Sequence, residues 1–386
     1  MKTNNCPNCG SLITFNPATN SLTCEYCGGS FRVDSKSTSH TKRPYATNVE
    51  LQETNMAQYH CNSCGSNINI YKEEFVKRCP NCASLDLEKT SKISYVPDAI
   101  VPFQITKEQA TANFYEWIKH RKFAPRNLKS LAKLGKISGF YTPIWCFDAS
   151  TNTSYHGIGI DEDTDKDGTK HTTETPFSGK FANKYTNITI SANKQVSNIS
   201  LSTLGNWGLD THLKVYSPEY LCGFMASDID SNVHESYVVF HKHVKDAEYR
   251  KARSENSGQY DRIAKFTTET KIYDPKFSYV YLPVYANYYT YKDKKYSCYI
   301  NGFSGRVTGS APKAVSKIIL LSLIIALLVG IIGLGIYSKI LAPIDNSIPS
   351  ANEFPSYTPT IPSTPGFPTP RIIPDPGFPE ITNYSL

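Results

Sequence analysis

YTPIWCF (residues 141–147) and YLPVYAN (residues 281–287) follow one pattern, 140 positions apart. Each runs Tyr-x-Pro and then two apolar residues, Ile144 and Trp145 in the first, Val284 and Tyr285 in the second. From Ile137 to Asp148, and again from Phe266 to Gly302, aromatic and polar residues alternate with the period of a β-strand. A helical pattern precedes each copy. Thr106 with Gln109 makes a capping box, and Ala110, Phe114, Trp117 and Ile118 recur on one helical face. The second helix of this kind is expected from Ser231 to about Arg253, with Val233, Tyr237, Phe240, Val244 and Ala247 inward. These features predict an α+β domain over residues 93–312, built of two related halves that each pack a helix on antiparallel strands. A shorter helix is expected from Pro125 to Leu134, carrying Leu128, Leu131 and Leu134 and stopping at Gly135.

At 386 residues the chain exceeds one typical domain. Its formal charge of +7, from 41 Lys and Arg against 34 Asp and Glu, is far below that of a protein that coats DNA. Tyr is abundant (26) and Met scarce (3), which favours strands over a helical bundle. The opening MKTNNCPNCG has no apolar core of a signal peptide, so the N-terminal part is expected to stay in a reducing compartment. There, the eleven cysteines read as metal ligands and buried thiols rather than disulfides.

Eight of them form two sets, Cys6, Cys9, Cys24, Cys27 and Cys61, Cys64, Cys79, Cys82. Each set is C-x2-C-x14-C-x2-C, and adding 55 to every position of the first gives the second. A divalent zinc ion takes four thiolates tetrahedrally, and a C-x2-C turn offers two of them while aiming backbone N–H groups at the sulfurs. Gly10, Gly28 and Gly65 follow three of the four turns, where φ is expected to be positive; Ala83 follows the fourth. Two zinc ribbons are predicted, residues 1–33 and 58–92, each holding one structural Zn2+. Rubredoxin-like iron uses the same four thiolates, and zinc is the commoner occupant. Units this small fold on metal binding. Residues 1–33 carry Lys2 and Arg32 against Glu25, and residues 60–92 carry five basic and four acidic side chains, so neither is a basic patch for phosphates. The polar, Ser/Thr-rich segment 34–57 between them reads as a flexible linker.

Other candidates carry less. Lys119, Arg121, Lys122, Arg126, Lys129, Lys133 and Lys136 form a basic run with no acid in it, readable as a phosphate-docking face or as two solvated helix surfaces. Asp163, Asp165, Asp167, Gly168 and Glu174 satisfy a calcium-loop spacing, but the flanks are strand-like and Lys170 stands where an apolar residue is usual, so a polar hairpin tip is expected. Cys146, Cys222 and Cys298 sit among apolar neighbours and read as core thiols. No nucleotide-binding, zinc-protease or serine-hydrolase motif is present, and His241 and His243 lie two apart on different helix faces. No catalytic residue is assigned; an enzyme with a Tyr-lined pocket is the third reading, behind two binding roles.

IILLSLIIALLVGIIGLGIY, residues 318–337, has twenty residues without a charge, enough to span roughly 30 Å of hydrocarbon. A transmembrane helix is predicted over 315–338. Lys313 and Lys317 before it and Lys339 after it bias orientation weakly; the thiol-rich N-terminal part puts that side in the cytoplasm and the C-terminal tail outside. Residues 339–386 read as a disordered Pro-rich tail, with eleven prolines in the last 47 residues.

The order of these features, with VPDAIVPFQITKEQA, WIKHRKFAPRNLKSLAK, GFYTPIWCFDASTNTSYHGIG, SPEYLCGF and YLPVYANYYTYKDKKYSCYINGFSGRVTG, resembles bacterial TFIIB-type zinc-ribbon membrane proteins over about residues 1–338. Such proteins are often labelled primosomal-like or phage-replication-like, and no helicase motif stands in this sequence. The resemblance implies a link to phage-shock and SPFH-type membrane assemblies, and so a membrane anchor that recruits cytosolic proteins. Only the eight cysteines carry over as site residues. The function expected is a single-pass membrane-anchored zinc-ribbon adaptor for cytosolic partner proteins; the alternative is a membrane-tethered nucleic-acid binder of replication or transcription.

Overall fold

Two very long strands, placed by the repeated Tyr-x-Pro pattern, organise the computed structural model of the chain. The structure describes residues 5–341 except 34–41, 47–48, 55, 72–77, 81, 83, 92–93, 126–127, 129–136 and 293. It divides into two units, residues 1–318 and 319–386. In the first unit a three-stranded meander, β1 (Thr14–Asn16), β2 (Ser21–Thr23) and β3 (Ser30–Arg32), is followed by the short β4 (Arg43–Pro44) and β5 (Glu53–Thr54). Next come β6 (Ala57–Cys61), β7 (Asn67–Ile70), β8 (Leu87–Thr90), β9 (Ser94–Tyr95) and β10 (Ala99–Ile100). Helix α1 (Lys107–Lys119) leads to the hairpin of β11 (Ser138–Thr164) and β12 (Lys170–Ser191). Helix α2 (Asn198–Leu204), β13 (Lys214–Val215) and β14 (Met225–Ser227) precede helix α3 (Val233–Asn256), which leads to β15 (Arg262–Tyr291), β16 (Lys294–Asn301) and β17 (Val307–Gly309).

The two patterns meet face to face. Strands β11 and β15 pair antiparallel with Tyr141 opposite Pro283, Thr142 opposite Leu282 and Pro143 opposite Tyr281, so a local two-fold axis passes between Thr142 and Leu282. The same axis relates what surrounds them. Strand β14 runs parallel to β11 at Tyr141, and β10 runs parallel to β15 at Tyr281. Past each proline the outer partner changes, to β12 along β11 and to β16 along β15. Proline is normally excluded from central strands because it lacks an N–H donor. Here a strand residue's N and C=O face the same side, and each proline stands where outer partners change. Its carbonyl is used, Pro143 accepting from Ala192 N–H at 3.1 Å and Pro283 from Gly302 N–H at 2.8 Å.

The apolar residues after the prolines cross-brace the halves. Trp145 Nε1 donates to the carbonyl of Ser231 at 2.9 Å, one residue before the α3 N-cap Asn232. Tyr285 OH donates to the carbonyl of Ile105 at 2.9 Å, one residue before the α1 N-cap Thr106. Both helices open with a capping box, Thr106 with Gln109 and Asn232 with Glu235. Each half's strand thus fixes the start of the other half's helix. The inward face of α1 is Ala110, Phe114 and Ile118, and that of α3 includes Val233, Phe240 and Val244. Phe240 stacks on Phe147 with ring centroids 4.9 Å apart, while α2 brings Leu201 and Leu204 to the cluster of Phe140, Ile144, Val280 and Leu282. Alternate residues of the central strands therefore join separate apolar clusters, and Cys146, Cys222 and Cys298 are all buried in them.

Two expectations are corrected. The sheet is mixed, not antiparallel throughout, because β10 and β14 each reach their own half's long strand through a helix yet pair, in parallel, with the other half's. Segment 34–57 is not a free linker in its described residues. Arg43 and Pro44 pair with Phe277 and Lys276, Lys42 makes an ion pair with Asp148, Arg43 binds Asp98 at 2.8 Å, and Tyr45 stacks on Tyr237. The sequence 163–174 forms the expected hairpin tip, where Asp165 Oδ1 accepts from the N–H groups of Asp167 and Thr169. The helix expected over 125–134 falls mostly outside the described residues, as do Arg126, Lys129, Lys133 and Lys136 of the basic run.

Helix α4 (Val315–Leu341) carries the apolar run. Residues Val315–Ser338 are long and apolar enough to cross a membrane, and none of that stretch is buried against protein. At 24 residues it is roughly 36 Å long. The Pro-rich tail lies, from residue 342 on, outside the described residues.

Candidate metal centres

The chain brings the eight predicted cysteines together as the two sets read from the spacing. In each set all four sulfurs lie within 4.8 Å of one another, and none is in a disulfide. Cys6 and Cys27 are 3.4 Å apart, Cys9 and Cys24 3.5 Å, and both Cys61–Cys82 and Cys64–Cys79 are 3.6 Å. Four sulfurs about 2.3 Å from a central ion stand about 3.8 Å from each other, so both sets are close to a tetrahedral cage. The donor set and its geometry fit a soft divalent ion held by thiolates.

Local backbone builds these cages. Gly10, Gly28 and Gly65 take φ of +76°, +73° and +74°, as expected, and each donates its N–H to the carbonyl of the knuckle's first cysteine at 2.8–2.9 Å. A side chain at these positions would be strained whatever the space around it. The first cysteine of each knuckle donates back, Cys6 to Ser11, Cys24 to Gly29, Cys61 to Ser66 and Cys79 to Ser84. One sulfur of each pair is buried and its partner more open, Cys6 against Cys9 and Cys61 against Cys64. Hydrogen bonds from the Ser11 backbone and hydroxyl lower the Cys9 thiol, while in the same cage, against a lowering bond from the Gly29 backbone, the Cys6 and Cys9 sulfurs raise Cys27, so the thiols titrate as one set.

Two supporting residues were missed from sequence. Ser11 and Ser66 are related by the same offset of 55, so the repeat was C-x2-C-G-S and the signal was available. Ser66 lies 3.1 Å from the Cys64 sulfur and accepts from Gln195 Nε2 at 2.7 Å, while Tyr299 OH donates to the Gln195 carbonyl at 3.0 Å. A hydrogen-bonded chain thereby runs from the second cage to strand β16. Such outer contacts orient metal ligands.

Both cages are attached to the α+β sheet. Phe15 N–H donates to the Cys222 carbonyl at 2.9 Å, and the Phe15 ring meets Tyr220 edge-on at 5.2 Å. The second set is part of the sheet itself, since β7 pairs with β14 through Ala226 opposite Asn69 and Ser227 opposite Ile68. Beside that seam the buried carboxylate of Asp228 accepts from the side-chain amides of Gln58 and Asn69. Burial raises its pKa above the ordinary carboxylate value, and the two amides offset part of that cost.

The remaining candidates do not converge on either cage. His241 and His243 lie on α3, one half-buried and one exposed. The Tyr side chains of the Tyr-x-Pro patterns, Tyr141 and Tyr281, are wholly buried. Among the described residues, no other cluster of three or more His, Cys, Asp or Glu has metal-binding geometry.

No protein-family model matches the chain, and no solved structure matches it. Among curated proteins, the chain is 23% identical over 316 residues to the uncharacterized protein YdjG of Bacillus subtilis (strain 168). That match covers 81% of this chain and 91% of YdjG, and so runs well beyond the cysteine-bearing segments.

Proposed function

We propose that the chain is a single-pass, membrane-anchored adaptor whose two zinc ribbons bind cytosolic proteins at the bilayer surface. The observation that carries this reading is Tyr26, which stands between the ligands Cys24 and Cys27 and is 82% exposed. A side chain held outward by a metal knuckle loses little freedom on binding, and exposed aromatic anchors dominate protein–protein contacts. Leu85, three residues past Cys82, offers a second exposed apolar side chain on the second ribbon, outside the knuckle itself. The near-neutral charge of both ribbons supports a protein partner over a phosphate backbone. The apolar span supports the anchor, and the free thiols with Lys313 and Lys317 before it support a cytoplasmic N-terminal side. The resemblance to TFIIB-type ribbon membrane proteins extends the proposal to a membrane-stress assembly of the phage-shock or SPFH kind.

The test is crosslinking of the full-length protein in its native cells, followed by purification in detergent. The wild type is compared with Tyr26→Ser and with the Cys61→Ser, Cys64→Ser pair. Cytosolic proteins lost from Tyr26→Ser at unchanged metal content support an adaptor. Nuclease-sensitive DNA or RNA, lost with the cysteine pair instead, establishes the membrane-tethered nucleic-acid binder in its place.

A further inference from the structure

A cleft of about 480 Å³ lies between the turn after α1 and the segment leading to the span. Its walls are His120 to Ala124 on one side and Gly309 to Lys313 on the other, and no acidic residue lines it. Arg121, Lys122 and Lys313 bring three cations to it, and none of the three is paired with a carboxylate among the described residues. The one acid nearby in sequence, Glu116, is turned to Lys119 at 3.4 Å and His120 at 3.8 Å.

Hydrogen bonds tie the first wall of the cleft to the residues that lead into the apolar run. Ala314 N–H donates to the Phe123 carbonyl at 2.7 Å. Lys317 Nζ donates to the carbonyls of Lys122 at 3.3 Å and Ala124 at 2.7 Å, so that ammonium is spent inside the protein. Arg121 is oriented by the Trp117 ring, its guanidinium carbon 4.2 Å from the ring centroid. Because Lys313 stands two residues before Val315, the cleft sits within a helical turn of where the apolar run begins. The polar layer of a bilayer leaflet is roughly 5–7 Å deep, so in a chain whose apolar run spans the membrane, residues this close in sequence to Val315 fall among the headgroups.

We propose that this cleft binds the phosphodiester headgroup of an anionic phospholipid. The ligand class follows from the charge, the place in the chain and the shape together. Arg121 offers the planar fork that fits phosphate oxygens, and Lys122 and Lys313 add point charges. The exposed Phe123 gives the headgroup's glycerol an apolar edge. A soluble nucleic acid would need a long basic track, whereas the cleft is a single pocket two residues before the apolar run. The site adds lipid selectivity to the anchor and does not depend on what the ribbons bind.

The test uses full-length protein in detergent, stripped of lipid, and titrated separately with dioctanoyl phosphatidylglycerol, dioctanoyl phosphatidylcholine and inorganic phosphate. Native mass spectrometry reads the bound fraction. Each juxtamembrane cation is worth about fivefold in affinity for an anionic headgroup. The Arg121→Gln, Lys122→Gln, Lys313→Gln variant should therefore bind phosphatidylglycerol on the order of a hundredfold more weakly. A control with the same charge change on the distant hairpin, Lys166→Gln, Lys180→Gln, Lys184→Gln, should bind as the wild type does. Equal losses in variant and control, or no preference for phosphatidylglycerol over phosphatidylcholine, would overturn the proposal. So would inorganic phosphate binding as tightly as the lipid, which would make this a soluble-anion site. Unchanged metal content and melting temperature in the triple variant exclude misfolding as the cause of a loss.

Discussion

Glu248 offers the sharpest test of how the long hairpin is held. Its carboxylate is wholly buried on α3, where side chains of the hairpin surround it with four donors. Oε1 accepts from Tyr185 OH at 2.6 Å, Asn183 Nδ2 at 2.8 Å and Thr151 Oγ1 at 3.1 Å, and Oε2 accepts from Thr153 Oγ1 at 2.6 Å. Burial alone would raise the pKa, but these bonds outweigh it and hold the carboxyl below its ordinary value of 4.5. In Glu248→Ala the threonines have alternatives, Thr151 with the Asn183 carbonyl at 3.4 Å and Thr153 with Thr270 at 3.0 Å. The Asn183 amide and the Tyr185 hydroxyl lose their acceptor. Both donors are only half-buried and can reach water in part, so leaving them unpaired costs at the low end, about 1 kcal/mol each or about 2 kcal/mol together. The melting temperature of the full-length protein in detergent should fall by roughly 4–8 °C. Glu248→Gln keeps an acceptor oxygen, and its amide can donate to Thr153 while Thr153 donates to Thr270, so the loss should be about a third as large.

The pH dependence has a definite sign. A carboxyl with a depressed folded-state pKa stabilises the fold above its unfolded value, and that contribution vanishes as pH falls through the folded value. The gap between wild type and Glu248→Gln should therefore be widest above pH 4.5 and close below it. A Glu248→Ala shift under about 2 °C, or a gap that does not change between pH 6 and pH 3, would refute the reasoning.

Two further outcomes follow from the same packing. Asp228→Ala releases the buried amides of Gln58 and Asn69 at the seam between β7 and β14, so the second cage should give up its metal several-fold faster to a chromogenic chelator while the first is unchanged. Cys146 is buried and its thiol is pushed up to about 11, so in native protein at pH 8 iodoacetamide should leave it unmodified, and mass mapping after unfolding should find it free.

The cysteine spacing made both cages legible, because four ligands at fixed intervals leave one tetrahedral solution. The capping box at Thr106 and the inward faces of α1 and α3 were equally local, and local signals survive into the fold; the box of Asn232 with Glu235 was just as local and went unread. The Tyr-x-Pro repeat announced two related halves, but not their crossing. That Trp145 braces Ser231 and Tyr285 braces Ile105 is a contact between residues far apart in sequence, and no period encodes it. Strands β10 and β14 are two and three residues long, too short to show alternation, so the parallel pairs that make the sheet mixed were invisible. The polar composition of 34–57 described its solubility, while Lys42, Arg43 and Tyr45 are held by partners that only the folded sheet supplies.

The central claim is that both thiol cages hold metal on one membrane-bound chain. Metal content per chain should be measured on full-length protein purified anaerobically in detergent, alongside Cys6→Ser, Cys9→Ser and Cys61→Ser, Cys64→Ser. The account predicts two ions in the wild type and one in each paired variant. A metal-free wild type, or a paired variant that keeps both ions, would contradict it.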